Sequence, residues 1–319
     1  MKSIRISEVI VVELFQEIYE AALASGYDNC GIIAPEDISD SAALLKKRME
    51  DVPSSIGFYE GVKANYEPVK ERYPWAKSIV VLTAEHGKYR FPPELRKRYA
   101  KAFFLSPEEG HTEAYDHRKF ENWMTAHGIR WEEGHIPLRY VGMKAGLGII
   151  RKNNFFYTDK GSFVGLTGYI IDRECVLHQN ISPRPCADAC TLCQKACRSG
   201  SLCAPYTMEP MRCISFWTTF GKGNVPPFLE ESMFEEWICG CDNCQDACPH
   251  NRRHNWDEGE PFSDLEEIAS KLVPGKLLEQ TDEFLRTEVI AKTDNHLMPE
   301  DTNVLRINAE RAIRNGQNA

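Results

Sequence analysis

Apolar residues recur at helical spacing from the start of the chain. Over residues 7–25, Val9, Val12, Ile18 and Leu23 fall on the positions of an amphipathic helix, which Gly26 closes. Residues 27–34 read as a short strand ended by Pro35, and 41–50 as a second helix. The run Ser78-Ile79-Val80-Val81-Leu82-Thr83 has no alternation: it is strand-length and apolar throughout, the pattern of a strand covered on both faces. Two polar helices are expected over 93–104 and 112–127, then a strand over 129–133. A short helix over 137–145 is stopped by Gly146 and Gly148. Residues 155–172 predict a hairpin turning at Asp159-Lys160-Gly161.

From 182 to 250 the texture changes to Cys, Pro and Gly joined by short polar links. Beyond it a charged helical pattern resumes, with Leu265, Ile268, Leu272, Leu277, Leu278, Phe284, Leu285 and Ile290 as packing positions. The expected organisation is therefore a cofactor- and substrate-binding α/β core over 1–181, a cysteine module over 182–253 and a C-terminal helical segment over 254–319 packing on the core.

Composition narrows the class. The 319 residues are 42% hydrophobic and 27% charged, ordinary for a globular protein. No apolar run approaches the ~18 residues of a membrane span, so no membrane partner is expected. The start, Met1-Lys2-Ser3-Ile4-Arg5, shows neither a signal-peptide core nor a twin-Arg signal, and a cytoplasmic location is expected. A formal net charge of −9 disfavours a broad nucleic-acid footprint without excluding a local basic groove.

All but one of the 12 cysteines lie between Cys175 and Cys248. In a cytoplasmic chain such clustering points to metal or redox chemistry rather than to a disulfide framework. One motif is Cys186-x3-Cys190-x2-Cys193-x3-Cys197; the other is Cys241-x2-Cys244-x3-Cys248-Pro249, with Cys213 alone between them. A four-iron cubane needs four converging thiolates, and loops of two or three residues wrap it corner by corner. The last Cys of each run then reaches the other cluster. By that rule one cluster takes Cys186, Cys190, Cys193 and Cys248, and the other Cys197, Cys213, Cys241 and Cys244. Structural zinc is the competing reading, but zinc knuckles favour paired CxxC units with longer spacers. The Cys186–Cys190 gap is one residue longer than in bacterial ferredoxins, and Arg198 stands where Pro usually follows the fourth Cys. Cys30, Cys175, Cys203 and Cys239 are left over as small hydrophobes.

These residues carry a resemblance. Arg212-Cys213-Ile214-Ser215-Phe216-Trp217-Thr218 and Gly240-Cys241-Asp242-Asn243-Cys244-Gln245-Asp246-Ala247-Cys248-Pro249-His250-Asn251 are similar to the double-cluster segment of the epoxyqueuosine reductases. Upstream, Lys144-Ala145-Gly146-Leu147-Gly148, Lys152-Asn153 and Gly161-Ser162-Phe163 resemble the cofactor-cradling stretch of that family, and Leu305-Arg306-Ile307-Asn308-Ala309 its closing helix. The resemblance implies an α+β chain: a nitroreductase-like core with an inserted ferredoxin-like module carrying two [4Fe–4S] clusters. It also implies a base-off cobalamin lined by Lys144, Gly146, Gly148, Lys152, Asn153, Gly161, Ser162 and Ser215. Electrons would come from reduced ferredoxin or flavodoxin, and the substrate would be epoxyqueuosine in tRNA or a related small molecule. The alternative is an iron–sulfur electron-transfer protein without substrate chemistry of its own.

The chain departs from the family where the family's proton donor stands, in an Asp-Ser/Thr-Gly/Ala-Pro stretch. Here the matching positions read Glu132-Glu133-Gly134-His135, followed by Arg139, and Arg151 replaces a common Gly. Glu132 is the candidate acid, with a solvated acidic turn as the competing reading. On a strand, Glu132 and Glu133 point to opposite faces. His117 matches a family His on the preceding helix, and His135 is this chain's own candidate.

Overall fold

The computed structural model describes residues 6–104, 116–251, 256–260, 263–293 and 297–317. Side chains 6–13, including Val9 and Val12, lie outside the described residues, as do positions 112–115, where the second polar helix was expected to begin. The chain divides into two units: Met1–Glu85 with Ala114–Cys186, and His86–Glu113 with Ala187–Ala319.

In the first unit the apolar run becomes β2 (Ser78–Glu85), the second strand of a four-stranded antiparallel sheet. Its neighbours are β1 (Asn29–Ile33) on one side and β6 (Val164–Ile171) on the other, and β3 (Trp131–Glu133) pairs with β6 at the edge. Val80 and Ile79 pair with Tyr169 and Ile170, and both faces of the strand are covered. On one face Ile33, Ile79, Val81 and Ile170 pack with Val141, Ala145, Leu147 and Phe156, from α6 (Leu138–Lys144) and its sequel. The other face meets α1 (Ile6–Ala24) and α5 (His117–Ala126), where Tyr169 packs against Phe120, and Tyr27 against Phe120. Asp116 caps α5 by accepting the Lys119 amide at 3.0 Å. Between the strands lie α2 (Ser41–Asp51), α3 (Ile56–Gly61) and α4 (Val69–Arg72).

The expected hairpin over 155–172 is not formed. Phe156–Tyr157 (β5) pairs instead with Ile149–Ile150 (β4), leaving β6 to join the main sheet. The turn Thr158 to Gly161 is real, but it connects two sheets rather than two partners.

The second unit holds the cysteine module from Ala187 onward, Cys186 belonging to the first, and corrects one expectation. Residues 93–104 form single 3-10 turns at Pro93–Leu95 and Lys101–Phe104, not a helix. Their backbone is engaged elsewhere: Ala100 donates to the Cys239 carbonyl, and the Ile238 amide to Arg98. Within this unit the C-terminal segment packs on the cysteine module. From the C-terminal helix Thr302–Gln317, the buried Asn308 amide donates to the carbonyls of Thr218 and Ile238, both at 2.8 Å. Arg311 covers the Phe234 ring, 4.2 Å from its centroid, and donates to Gly223. Leu265, Ile268, Leu272, Leu277, Leu285 and Ile290 are buried as expected.

Candidate functional site

The cysteines are carried on short turns. Cys193 lies on α7 (Leu192–Ala196), Cys213 immediately precedes α8 (Ile214–Thr218), and Cys244 lies on α9 (Asn243–Asp246). The first hydrogen-bonded turn of α8 wraps Cys213, whose sulfur is contacted by the backbone N–H groups of Ser215 and Phe216. Ser215, expected at the corrinoid, meets this thiol through its backbone N–H. Burial raises the Cys213, Cys241 and Cys244 thiols, and their neighbours raise them further: Cys213 responds to Cys197, Cys241 to Cys213 and Cys244, and Cys244 to Cys213, Cys197 and Cys193. Cys197, Cys213, Cys241 and Cys244, each half-buried, therefore share one neighbourhood, which also reaches Cys193. Four such thiolates repel one another in a low dielectric unless a cation sits among them. Among the described residues no three of His, Cys, Asp and Glu converge tightly enough to hold a single metal ion. A cubane asks for a different geometry, with one thiolate at each of four separated iron corners.

A buried ion cluster flanks these thiols. Lys101 donates to Asp242 at 3.3 Å and to Asp246 at 2.8 Å, and Asp242 also accepts the Lys101 amide. Charge in this place was not anticipated, because Lys101 is 141 and 145 residues from its partners and nothing local marks it. Cys190 and Cys248 are half-buried and buried respectively. Of the remaining cysteines, Cys30, Cys175 and Cys239 are buried, and burial raises Cys239 to about 12. Cys203 is exposed.

In the first unit the candidate acids separate. Glu132 pairs with Ile170 and Glu133 with Tyr169, so each shares the face of its partner. Tyr169 faces α5. Its hydroxyl donates to Glu121 at 3.0 Å and lies 3.1 Å from His117 Nδ1, which is also 2.6 Å from the Tyr27 hydroxyl. Which atom donates in the two contacts to Nδ1 depends on the imidazole tautomer. Burial depresses His117 to about 4, so it is neutral near pH 7 and is not an imidazolium acid there. Burial raises Glu121, and Glu133 adds to that; Tyr169 is raised by burial, Tyr27, Glu121 and Glu133. Glu133 thus shares the face of Tyr169 and acts on Glu121 and Tyr169, whereas the carboxylate that acts on His117 is Asp116. Glu132 stands on the opposite face, and the structure does not bring it together with His117. Strand alternation carried this signal, but choosing between the two faces required the β6 register. Glu132, Glu133 and His135 are all exposed.

The stretch expected to line a corrinoid is tightly engaged with its own chain. A Cβ at Gly146 would fall 2.0 Å from the Gln179 carbonyl oxygen, and one at Gly148 would fall 2.1 Å from that of Tyr157. Both glycines thus have an internal reason to be glycine. Gly161, at φ 124°, closes its turn on Thr158, and Ser162 is buried beside it. Lys144 is on the surface with Asp40 and Tyr140. Arg151, Lys152, Asn153 and Asn154 are buried in succession. Asn153 donates to the Tyr157 hydroxyl at 2.9 Å, and Arg139 donates to the Asn154 carbonyl. Asn154, at φ 64°, has neither side-chain amide atom partnered. An orphaned donor and acceptor together cost a few kcal/mol and suit an amide-bearing ligand such as a corrin periphery. To that extent the residues fit such a group, and Asn154 is a candidate that motif reading missed.

Residues 186–251 match the family described as a 4Fe-4S double cluster binding domain. The chain is 27% identical over 266 residues to an epoxyqueuosine reductase of Cyclobacterium marinum, covering 80% of this chain and 85% of that one. It is 28% identical over 275 residues to one from Leadbetterella byssophila, covering 81% and 89%. A crystal structure of an epoxyqueuosine reductase with an epoxyqueuosine-modified tRNA-Tyr stem loop superposes with a TM-score of 0.74 at 23% identity, over 97% of this chain and 83% of that one. At that identity the likeness speaks to the fold, a mixed helix-and-sheet architecture. The resemblance to the epoxyqueuosine reductases, first visible in the cysteine motifs, thus extends over most of the chain.

Proposed function

We propose that the chain is an oxidoreductase of the epoxyqueuosine reductase type: it takes single electrons into two [4Fe–4S] clusters and delivers them in pairs to an organic substrate. The observation that supports it best is the convergence of the half-buried Cys197, Cys213, Cys241 and Cys244 within a segment matching a double-cluster domain. The proposed substrate is epoxyqueuosine in tRNA. Removing an epoxide oxygen as water consumes two electrons and two protons and leaves a carbon–carbon double bond. The electrons would come from reduced ferredoxin or flavodoxin.

Clusters pass electrons singly, so the two-electron step needs a second cofactor. Cobalamin, held base-off in a nitroreductase-like core, would supply a reactive metal centre when bound. Lys152, Asn153, Gly161 and Ser162 are the proposed lining, and Asn154 adds its unpartnered amide. Gly146 and Gly148 shape the loop for internal reasons. The protons are assigned to the strand-edge acids. Glu133 is favoured over Glu132 by its place on the face of Tyr169, whose hydroxyl meets His117. His135, one residue beyond Gly134, is the third candidate.

The test is turnover of epoxyqueuosine-containing tRNA by anaerobically reconstituted protein, with Glu132→Gln and Glu133→Gln compared. A positioned acid contributes roughly 10²–10⁴-fold, so Glu133→Gln is expected to lose that much and Glu132→Gln far less. The reverse ranking refutes the assignment. Absence of turnover with both clusters intact would favour the electron-transfer alternative.

A further inference from the structure

Arg151 is 2% exposed, yet among the described residues no carboxylate pairs with it. Its guanidinium lies over the Tyr157 ring, 4.7 Å from the centroid, and Nη1 points at the Cys186 sulfur at 4.0 Å. Nε is buried without a partner. Guanidinium keeps its charge under all ordinary conditions, and a buried, uncompensated charge is costly, so this cation calls for an anion. Among the described residues the group able to carry negative charge that it reaches is the Cys186 sulfur, at the residue where the double-cluster match begins.

We propose that Arg151 is the built-in counter-ion of the iron–sulfur cluster anchored by Cys186, and that it raises that cluster's reduction potential above that of its companion. The inference rests on the two-cluster reading. With four thiolates a four-iron cluster is a dianion when oxidised and a trianion after accepting one electron from a low-potential donor. A fixed cation beside one thiolate stabilises the trianion more than the dianion, so reduction becomes easier. Cluster potentials respond to local charge and to hydrogen bonds at sulfur in this way. Tyr157 holds the guanidinium by its ring face without adding a compensating negative charge, so the full charge stays available to the sulfur. Arg151 is a positioning and tuning residue, not one that touches substrate.

The experiment is an EPR-monitored redox titration of the anaerobically reconstituted full chain, with no corrinoid added. Cys186→Ser serves to identify which signal belongs to the cluster it anchors. In the wild type that signal is expected to appear first on lowering the potential. In Arg151→Met it should appear at least tenfold less readily at a fixed potential, a fall of 59 mV or more for a one-electron couple, while the other signal stays put. Arg151→Lys should recover part of the shift. Unmoved midpoints in Arg151→Met at full iron content overturn the proposal and leave the two-cluster reading standing. Should Arg151→Met fail to assemble, the order of reduction in the wild type decides, and a Cys186-linked signal that appears second overturns the proposal. Iron and sulfide far below about eight each per chain sink the two-cluster reading, and this proposal with it.

Discussion

Replacing Gly148 with Ala separates two reasons for a glycine beside a proposed cofactor. The new methyl would stand 2.1 Å from the Tyr157 carbonyl oxygen and 2.8 Å from Phe156 Cζ. Ordinary contact begins near 3.4 Å, so the overlap with the carbonyl is more than an ångström. That carbonyl belongs to β5, whose Tyr157 pairs with Ile149, the residue after the glycine, so neither side can yield without opening the pair. Overpacking typically costs 1–3 kcal/mol, and an immovable backbone puts this site at about 3. The lost freedom of the unfolded chain returns about 0.4–1 kcal/mol, leaving a net loss of about 2. For a unit of this size each kcal/mol moves Tm by roughly 2–4 °C, so a fall of about 4–8 °C is expected. Thermal unfolding followed by circular dichroism without any corrinoid measures it. Gly57→Ala is the control: nothing lies within 4 Å of that position in α3, and the change should stabilise slightly. If Gly148→Ala melts like the wild type but binds cobalamin poorly, the packing argument is wrong and the glycine faces the cofactor.

Three other outcomes follow from the same structure. His117 and His86 are depressed by burial to about 4 and about 3, below the ordinary value of 6.5. Their stabilising contribution is complete above pH 6.5 and is lost as pH falls toward those values. Each then costs up to about 3–5 kcal/mol, so His117→Gln should flatten the fall in stability seen by urea titration between pH 6.5 and 4. Cys244→Ser should remove or distort one cluster and Cys193→Ser the other, whereas Cys30→Ser, at a buried site on β1, should leave iron and sulfide content unchanged; two zinc ions and no sulfide in the wild type would refute the cluster reading. Asn308→Ala leaves the Thr218 and Ile238 carbonyls and the Arg311 guanidinium short of a partner. A loss of about 2–4 kcal/mol is expected, read as a lowered urea midpoint with unchanged slope, and a midpoint equal to the wild type would contradict it.

Local chemistry made much of this protein legible in its sequence. The run at 78–83 announced a strand buried on both faces because only a covered strand dispenses with alternation. The cysteine spacings announced clusters because short loops can wrap a cubane only at those intervals. Sequence also separated Glu132 from Glu133 by strand parity, without saying which one shared the face of Tyr169. That choice, like the pairing of β6 with β2 and β3 in place of a local hairpin, depends on contacts between residues tens of positions apart. The same holds for Lys101 meeting Asp242 and Asp246, and for the C-terminal helix settling on the cysteine module through Asn308 and Arg311. The glycines at 146 and 148 show the limit most clearly. Their identity was readable, but the carbonyls of Gln179 and Tyr157 that demand it were not. Periodicity and spacing record what neighbours along the chain require of one another. The partners that bury a charge, fill the space over a glycine or choose a face of a strand are fixed only when distant segments pack.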